Sequence, residues 1–196
     1  MRNDSNSATQ SSIIALGTAN PKYKRSQAET AELITSSFNL KPAEKRLLKS
    51  VYKATGINQR HSVLSDYCKS PGNFDFFSNT PDAPFPSTAA RMQIYKENAL
   101  GLALSSIENC LSSLKNFNIN DITHLITVSC TGMYAPGIDI EIIQTLNLNS
   151  SIKRTAINFM GCYWGDENPV KTSNKIFPFH FPHPALTALK TSFLFA

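Results

Sequence analysis

Between Met92 and Leu114 the apolar residues fall at helical spacing. Met92, Tyr95, Ala99, Leu102, Ala103, Ile107, Cys110, Leu111 and Leu114 form one stripe. That period predicts an amphipathic helix starting near Ser87. The run His124-Leu125-Ile126-Thr127-Val128-Ser129 then predicts a buried strand. Ile138, Ile142, Ile143 and Leu146 predict a short helix, and Ile152 to Phe159 a second buried strand. The alternation over residues 88–162 predicts an α/β layered domain.

Upstream the pattern is more broken. Residues 1–11 are polar and read as a frayed tail. Ile13-Ile14-Ala15-Leu16 predicts a short buried strand, and Gly17 to Pro21 a turn out of it. Ser26 with Glu29 predicts a capping box that opens a helix running to about Phe38. Pro42 suits the first position of another helix, which places Leu47, Leu48, Val51 and Tyr52 on one face and stops at Gly56. Asn58 to Leu64 reads as extended, and the prolines at 71, 81, 84 and 86 predict a loop over residues 70–87.

Composition narrows the function classes. The 196 residues suffice for a domain with a real core, and 41% hydrophobic with 17% charged residues is ordinary globular composition. The net charge of +5 suits anionic small molecules, while the scattered basic residues argue against a nucleic-acid partner. Cys68, Cys110, Cys130 and Cys162 match no zinc spacing, so no metal is expected. The polar start carries no signal-peptide core, and no apolar run reaches the roughly 18 residues of a membrane span. Free thiols in a reducing cytoplasm, without a membrane partner, are the expectation.

The candidate chemistry lies at Cys162. The run from Lys153 to Phe159 reads as a strand that delivers Cys162 through Gly161 to a sharp turn. A cysteine presented at a helix N-terminus gains thiolate character from the unpaired N–H groups there.

Four stretches together resemble the N-terminal half of type III polyketide synthases, the chalcone-synthase-like branch of the thiolase fold. They are Ala15 to Pro21 followed by Gln27, Thr55-Gly56-Ile57 through Arg60-His61, Thr123 to Ile126 through Pro136-Gly137-Ile138-Asp139, and Met160-Gly161-Cys162. Ser129-Cys130-Thr131-Gly132 is more similar to bacterial members than to plant ones.

The resemblance implies a thiolase-like αβαβα fold, N-terminal half only, with a mixed sheet and helices on both faces. It implies an acyltransferase in which Cys162 accepts a starter acyl group from a coenzyme A thioester and extends it by decarboxylative condensation with malonyl-CoA. Coenzyme A thioesters are substrates here, and no resident cofactor is implied. It further implies a homodimer, and a substrate cavity lined by Cys130, Thr131, Met133 and Ala135. At Cys130 packing and chemistry stay equally open. Met133 is either packed or reaches a partner's cavity. Lys45, Arg46, Lys49 and Lys53 lie on the helix that carries coenzyme A contacts in plant relatives, with Lys49 and Lys53 placed to reach the phosphates and a solvated face as the alternative. The register there is uneven, because Leu47 and Ala54 stand where basic residues belong. Arg60, His61 and His124 read as structural.

The resemblance covers residues 12–163. Residues 164–196 depart from it: Trp164 stands where a small residue belongs, and Pro178, Pro182 and Pro184 fall among phenylalanines. The segment reads as an aberrant tail of the kind a shifted reading frame produces. Removing one U near codon 164 restores an aromatic-small-small pattern, and the encoding DNA tests this. His180 and His183 are poor candidates for the family's histidine, so its histidine and asparagine donors are absent and the chain reads as truncated and inactive alone. Two other readings remain: a non-catalytic fragment that associates through an exposed face, and a relative of ketoacyl synthase III.

Overall fold

The computed structural model describes residues 12–37, 40–80, 83–129 and 132–158. Two compact units divide them, one of residues 20–98, the other of the described residues before 20 and after 98.

In the first unit β1 (Tyr23–Ser26) pairs antiparallel with β2 (Gln59–Ser62), and α1 (Gln27–Ser37) packs on α2 (Pro42–Ala54). The predicted capping box opens α1: the Glu29 N–H donates to Ser26 Oγ at 3.1 Å, and the Ser26 N–H to Glu29 Oε2 at 2.9 Å. The Ser26 side chain and then its backbone N–H hold the Glu29 carboxyl below its usual pKa. The box therefore adds stability at neutral pH and gives it up as the pH falls through the lowered pKa.

Pro42 is at the start of α2, and Gly56 follows its end at φ +67°. Gln27 ties three elements together. Its Nε2 donates to the Tyr52 carbonyl and to Thr55 Oγ1, its Oε1 accepts from Arg60 Nε at 2.7 Å, and its N–H donates to the Asn58 carbonyl. Arg60 also stacks over the Tyr52 ring and His61 Nδ1 lies 3.3 Å from the Pro21 carbonyl, so both have structural partners.

The 65–80 segment is organised by Asp66, which is 1% exposed and sits in a 3-10 turn (Ser65–Cys68). Its carboxylate accepts the backbone N–H groups of Asp75, Phe76 and Phe77 at 2.8–2.9 Å. Lys69 bridges to Asp75, and that cation first, then Ser65, lowers the Asp75 pKa. The predicted loop over 70–87 contains no helix or strand among its described residues.

The long helix α3 (Thr88–Ser112) begins as its apolar stripe predicts. The Ala90 N–H donates to Ser87 Oγ, and Tyr95, Ala99, Ala103, Ile107 and Cys110 are buried. In the second unit the predicted strands and helix are present as β3 (His124–Ser129), α4 (Ile138–Thr145) and β4 (Lys153–Asn158). β3 and β4 are parallel, in register from His124 opposite Lys153 to Ser129 opposite Asn158. Parallel neighbours need a crossover, and α4 lies within it. Ala103, Ile107, Leu125, Ile142, Leu148 and Ile152 form the core between these elements.

Three expectations are corrected. Residues 13–16 form no strand, and Ile13, Ile14 and Leu16 are exposed. Hydrophobicity marked the segment for burial, but an extended chain becomes a strand only with a hydrogen-bonding neighbour. β4 is a strand but not a buried one, for residues 153–156 are exposed. It pairs with β3 on one edge and, among the described residues, with nothing on the other. The apolar face of α2 is also split. Leu48 and Tyr52 are half-buried, but Leu47 is 67% and Val51 51% exposed, because α1 covers only one side of it.

Gly17 explains how the 12–19 segment is seated. A Cβ there would overlap the Ser106 carbonyl oxygen and the Cys110 backbone nitrogen on α3. Backbone cannot step aside as a side-chain tip can. Gly17→Ala is expected to cost about 1–3 kcal/mol, read as a lower urea midpoint at constant m-value. An unchanged midpoint would mean the segment is not held against α3.

Candidate active site

The cavity loop expected between β3 and α4 is tethered at three points. Ser129 Oγ donates to the Gly132 carbonyl at 2.7 Å. The Tyr134 hydroxyl donates to Glu141 on the first turn of α4. Asp139, also on that turn, accepts from Arg154 Nη1 on β4 at 2.7 Å. The Asp139 side chain is 12% exposed and that of Arg154 44%. Gly137 precedes α4 at φ +116°, in the left-handed region, where a Cβ would come within 2.6 Å of Asp139 Oδ1. Only glycine supplies that backbone angle and that space together. The loop is thus fixed to the strand that runs on toward Cys162.

Of the predicted cavity residues, Met133 and Ala135 lie on this loop, both exposed, Met133 at 49%. Cys130, Thr131 and Cys162, and the whole 164–196 tail, lie outside the described residues. His124 is half-buried with Nδ1 2.8 Å from Thr123 Oγ1, a structural setting.

The predicted phosphate cations are on α2. The 3.6-residue turn sets Arg46, Lys49 and Lys53 within an arc of about 60°, with Lys45 beside them. Of the four cations on this helix, helical phase groups Arg46 with Lys49 and Lys53 despite the uneven register. Lys49 Nζ is engaged, 2.6 Å from Glu32 Oε1 on α1. Lys53 is exposed. The net charge of +5 belongs wholly to residues 20–98, which hold 12 Lys and Arg against 7 Asp and Glu. Three cations on one face suit a phosphate-bearing ligand, since each adds a charge-assisted hydrogen bond.

Cys68 and Cys110 are free thiols, one exposed and one buried. Among the described residues no group of His, Cys, Asp or Glu is arranged to hold a metal ion, and no helix is long and apolar enough to cross a membrane.

Comparison with known proteins gives a consistent picture. An alpha-pyrone synthesis polyketide synthase-like protein of Mycobacterium tuberculosis is 29% identical over 177 residues, covering 90% of this chain and 42% of that protein. Bisdemethoxycurcumin synthase of Oryza sativa subsp. japonica is 27% identical, covering 84% of this chain and 40% of that protein. The crystal structure of PKS-I from the brown alga Ectocarpus siliculosus superposes with a TM-score of 0.63 at 27% identity, over 78% of this chain and 41% of that one. The C-terminal type III polyketide synthase domain of a type I/III hybrid from Dictyostelium shares the fold, with a TM-score of 0.58 at 21% identity over 78% of this chain and 40% of that one. The chain spans about two fifths of the length of the relatives it matches. Residues 1–176 match the N-terminal domain of the chalcone and stilbene synthases, and the chain belongs to that family.

Proposed function

We propose that this chain carries the acyl-loading part of a type III polyketide synthase reaction. The family match across residues 1–176, which takes in Cys162, is the observation that carries the reading. In the proposed step the Cys162 thiolate attacks the carbonyl carbon of an acyl-CoA thioester. A carbon–sulfur bond forms to Cys162, the bond to coenzyme A breaks, and coenzyme A leaves as a thiolate that takes up a proton. A cysteine suits both halves, since a thiolate is a good nucleophile and a good leaving group. The acyl group is then extended by decarboxylative condensation with malonyl-CoA, whose enolate requires oxyanion donors.

In the family a histidine and an asparagine supply those donors, and loading is the step proposed for residues 1–176. Arg46, Lys49 and Lys53 are the cations proposed for the coenzyme A phosphates. Met133 is the residue proposed to meet a second copy in a homodimer, and its exposure supports that. Mixing the chain with an acyl-CoA is expected to release about one equivalent of coenzyme A thiol in a burst, and Cys162→Ala to release none. A folded wild-type chain without a burst would refute the reading.

A second reading, a non-catalytic chain that acts by association, is favoured by one observation. Ile13, Ile14 and Leu16 are exposed side by side, at 75%, 59% and 76%.

A further inference from the structure

We propose that Glu32 is an intramolecular counterion that competes with anionic ligand for the cation face of α2; the inference rests on the coenzyme A reading of that face. Lys49 stands between Arg46 and Lys53 along the helix axis, at one edge of their arc, so it is the middle cation of the three by height. Among the described residues it is also the α2 cation that has a salt-bridge partner, and that partner is Glu32 of α1, 17 positions earlier. α1 and α2 pack together, so the carboxylate is delivered to the face by the fold and not by local sequence.

A phosphate seeking Lys49 must displace this carboxylate or tolerate it nearby. Both side chains are well exposed, Lys49 at 47% and Glu32 at 67%, so the pair exchanges readily with solvent. An exposed pair of this kind is worth little to stability. It is therefore a poor structural element and an apt modulator. Without ligand, Glu32 neutralises the central positive charge. With a polyanion bound, it subtracts affinity by repulsion. The device sets how tightly the face holds coenzyme A and how steeply that hold depends on salt.

The test is calorimetric titration of the chain with coenzyme A itself, across wild type, Glu32→Gln, the Arg46→Ala/Lys53→Ala pair, and Glu32→Gln in a Lys49→Gln background. Glu32→Gln is expected to tighten binding about two- to five-fold, the range an exposed ion pair supports. The gain should shrink in the Lys49→Gln background to the part that repulsion alone supplies, since the carboxylate has no cation there to compete for, and an undiminished gain overturns the competition. The gain should vanish in about 1 M salt, where the Debye length falls to roughly 3 Å. Equal or weaker binding by a folded Glu32→Gln chain overturns the role of Glu32. If the Arg46/Lys53 pair still loses affinity in that case, the coenzyme A reading stands by itself. If neither wild type nor Glu32→Gln binds coenzyme A, the cation face is not a coenzyme A site and the proposal falls with it.

Discussion

Asp66→Ala is expected to lower the stability of the chain by about 3–5 kcal/mol, since each hydrogen bond to a charged group is worth roughly 1.5–3 kcal/mol net. The carboxylate is buried and accepts three consecutive backbone N–H groups, from Asp75, Phe76 and Phe77. Alanine removes all three acceptances and leaves a void. The consequence extends beyond the turn. Phe77 packs edge-to-face on Phe74, Phe76 and Phe85, at centroid separations of 5.4–6.3 Å. These rings keep their places only while the backbone at 75–77 is held.

Asp66→Asn keeps one oxygen for the Phe76 and Phe77 N–H groups but turns an amide NH2 toward the Asp75 N–H. Its loss should be about half that of alanine. Urea unfolding of both variants checks the order. A loss below about 1 kcal/mol for alanine, the size of an ordinary surface change, would show that the loop holds itself by other means.

Arg154→Ala is expected to cost about 2–3 kcal/mol, below the 3–5 kcal/mol of a fully buried pair because Arg154 is partly exposed. The loss falls on Asp139, whose carboxylate remains mostly buried without its cation. Adding Asp139→Asn to Arg154→Ala should recover part of the loss, because the neutral amide needs no counterion. A double-mutant cycle reads this coupling directly. Additive losses would mean that the pair does not act as a unit and does not fix the 132–137 loop to β4.

Much of the second unit was legible in the sequence. The α3 stripe, the apolar run of β3, the short helix and β4 each carried one period, and the structure has all four. Local chemistry also set boundaries correctly, with Ser87, Ser26–Glu29, Pro42 and Gly56 at helix ends. Legibility failed where the outcome depended on a partner. β1 reads Tyr-Lys-Arg-Ser, a polar stretch without alternation, and only its pairing with β2, which lies in the predicted extended stretch 58–64, makes it a strand. Periodicity gave α2 an apolar face but not how much of it α1 would cover.

The site divides in the same way. Its loop and its cations follow from motif and helical phase. The Asp66 cradle, the Asp139–Arg154 tie and the Glu32–Lys49 pair join residues 9 to 17 positions apart, and such pairings are created by the fold.

The central claim is that Cys162 accepts the acyl group. Intact-mass spectrometry of the folded chain after exposure to an acyl-CoA tests it most directly, with Cys162→Ala and Cys130→Ala alongside. The account predicts a single acyl adduct on wild type, kept in Cys130→Ala and lost in Cys162→Ala. An adduct that persists in Cys162→Ala, or that is lost with Cys130 instead, would contradict it.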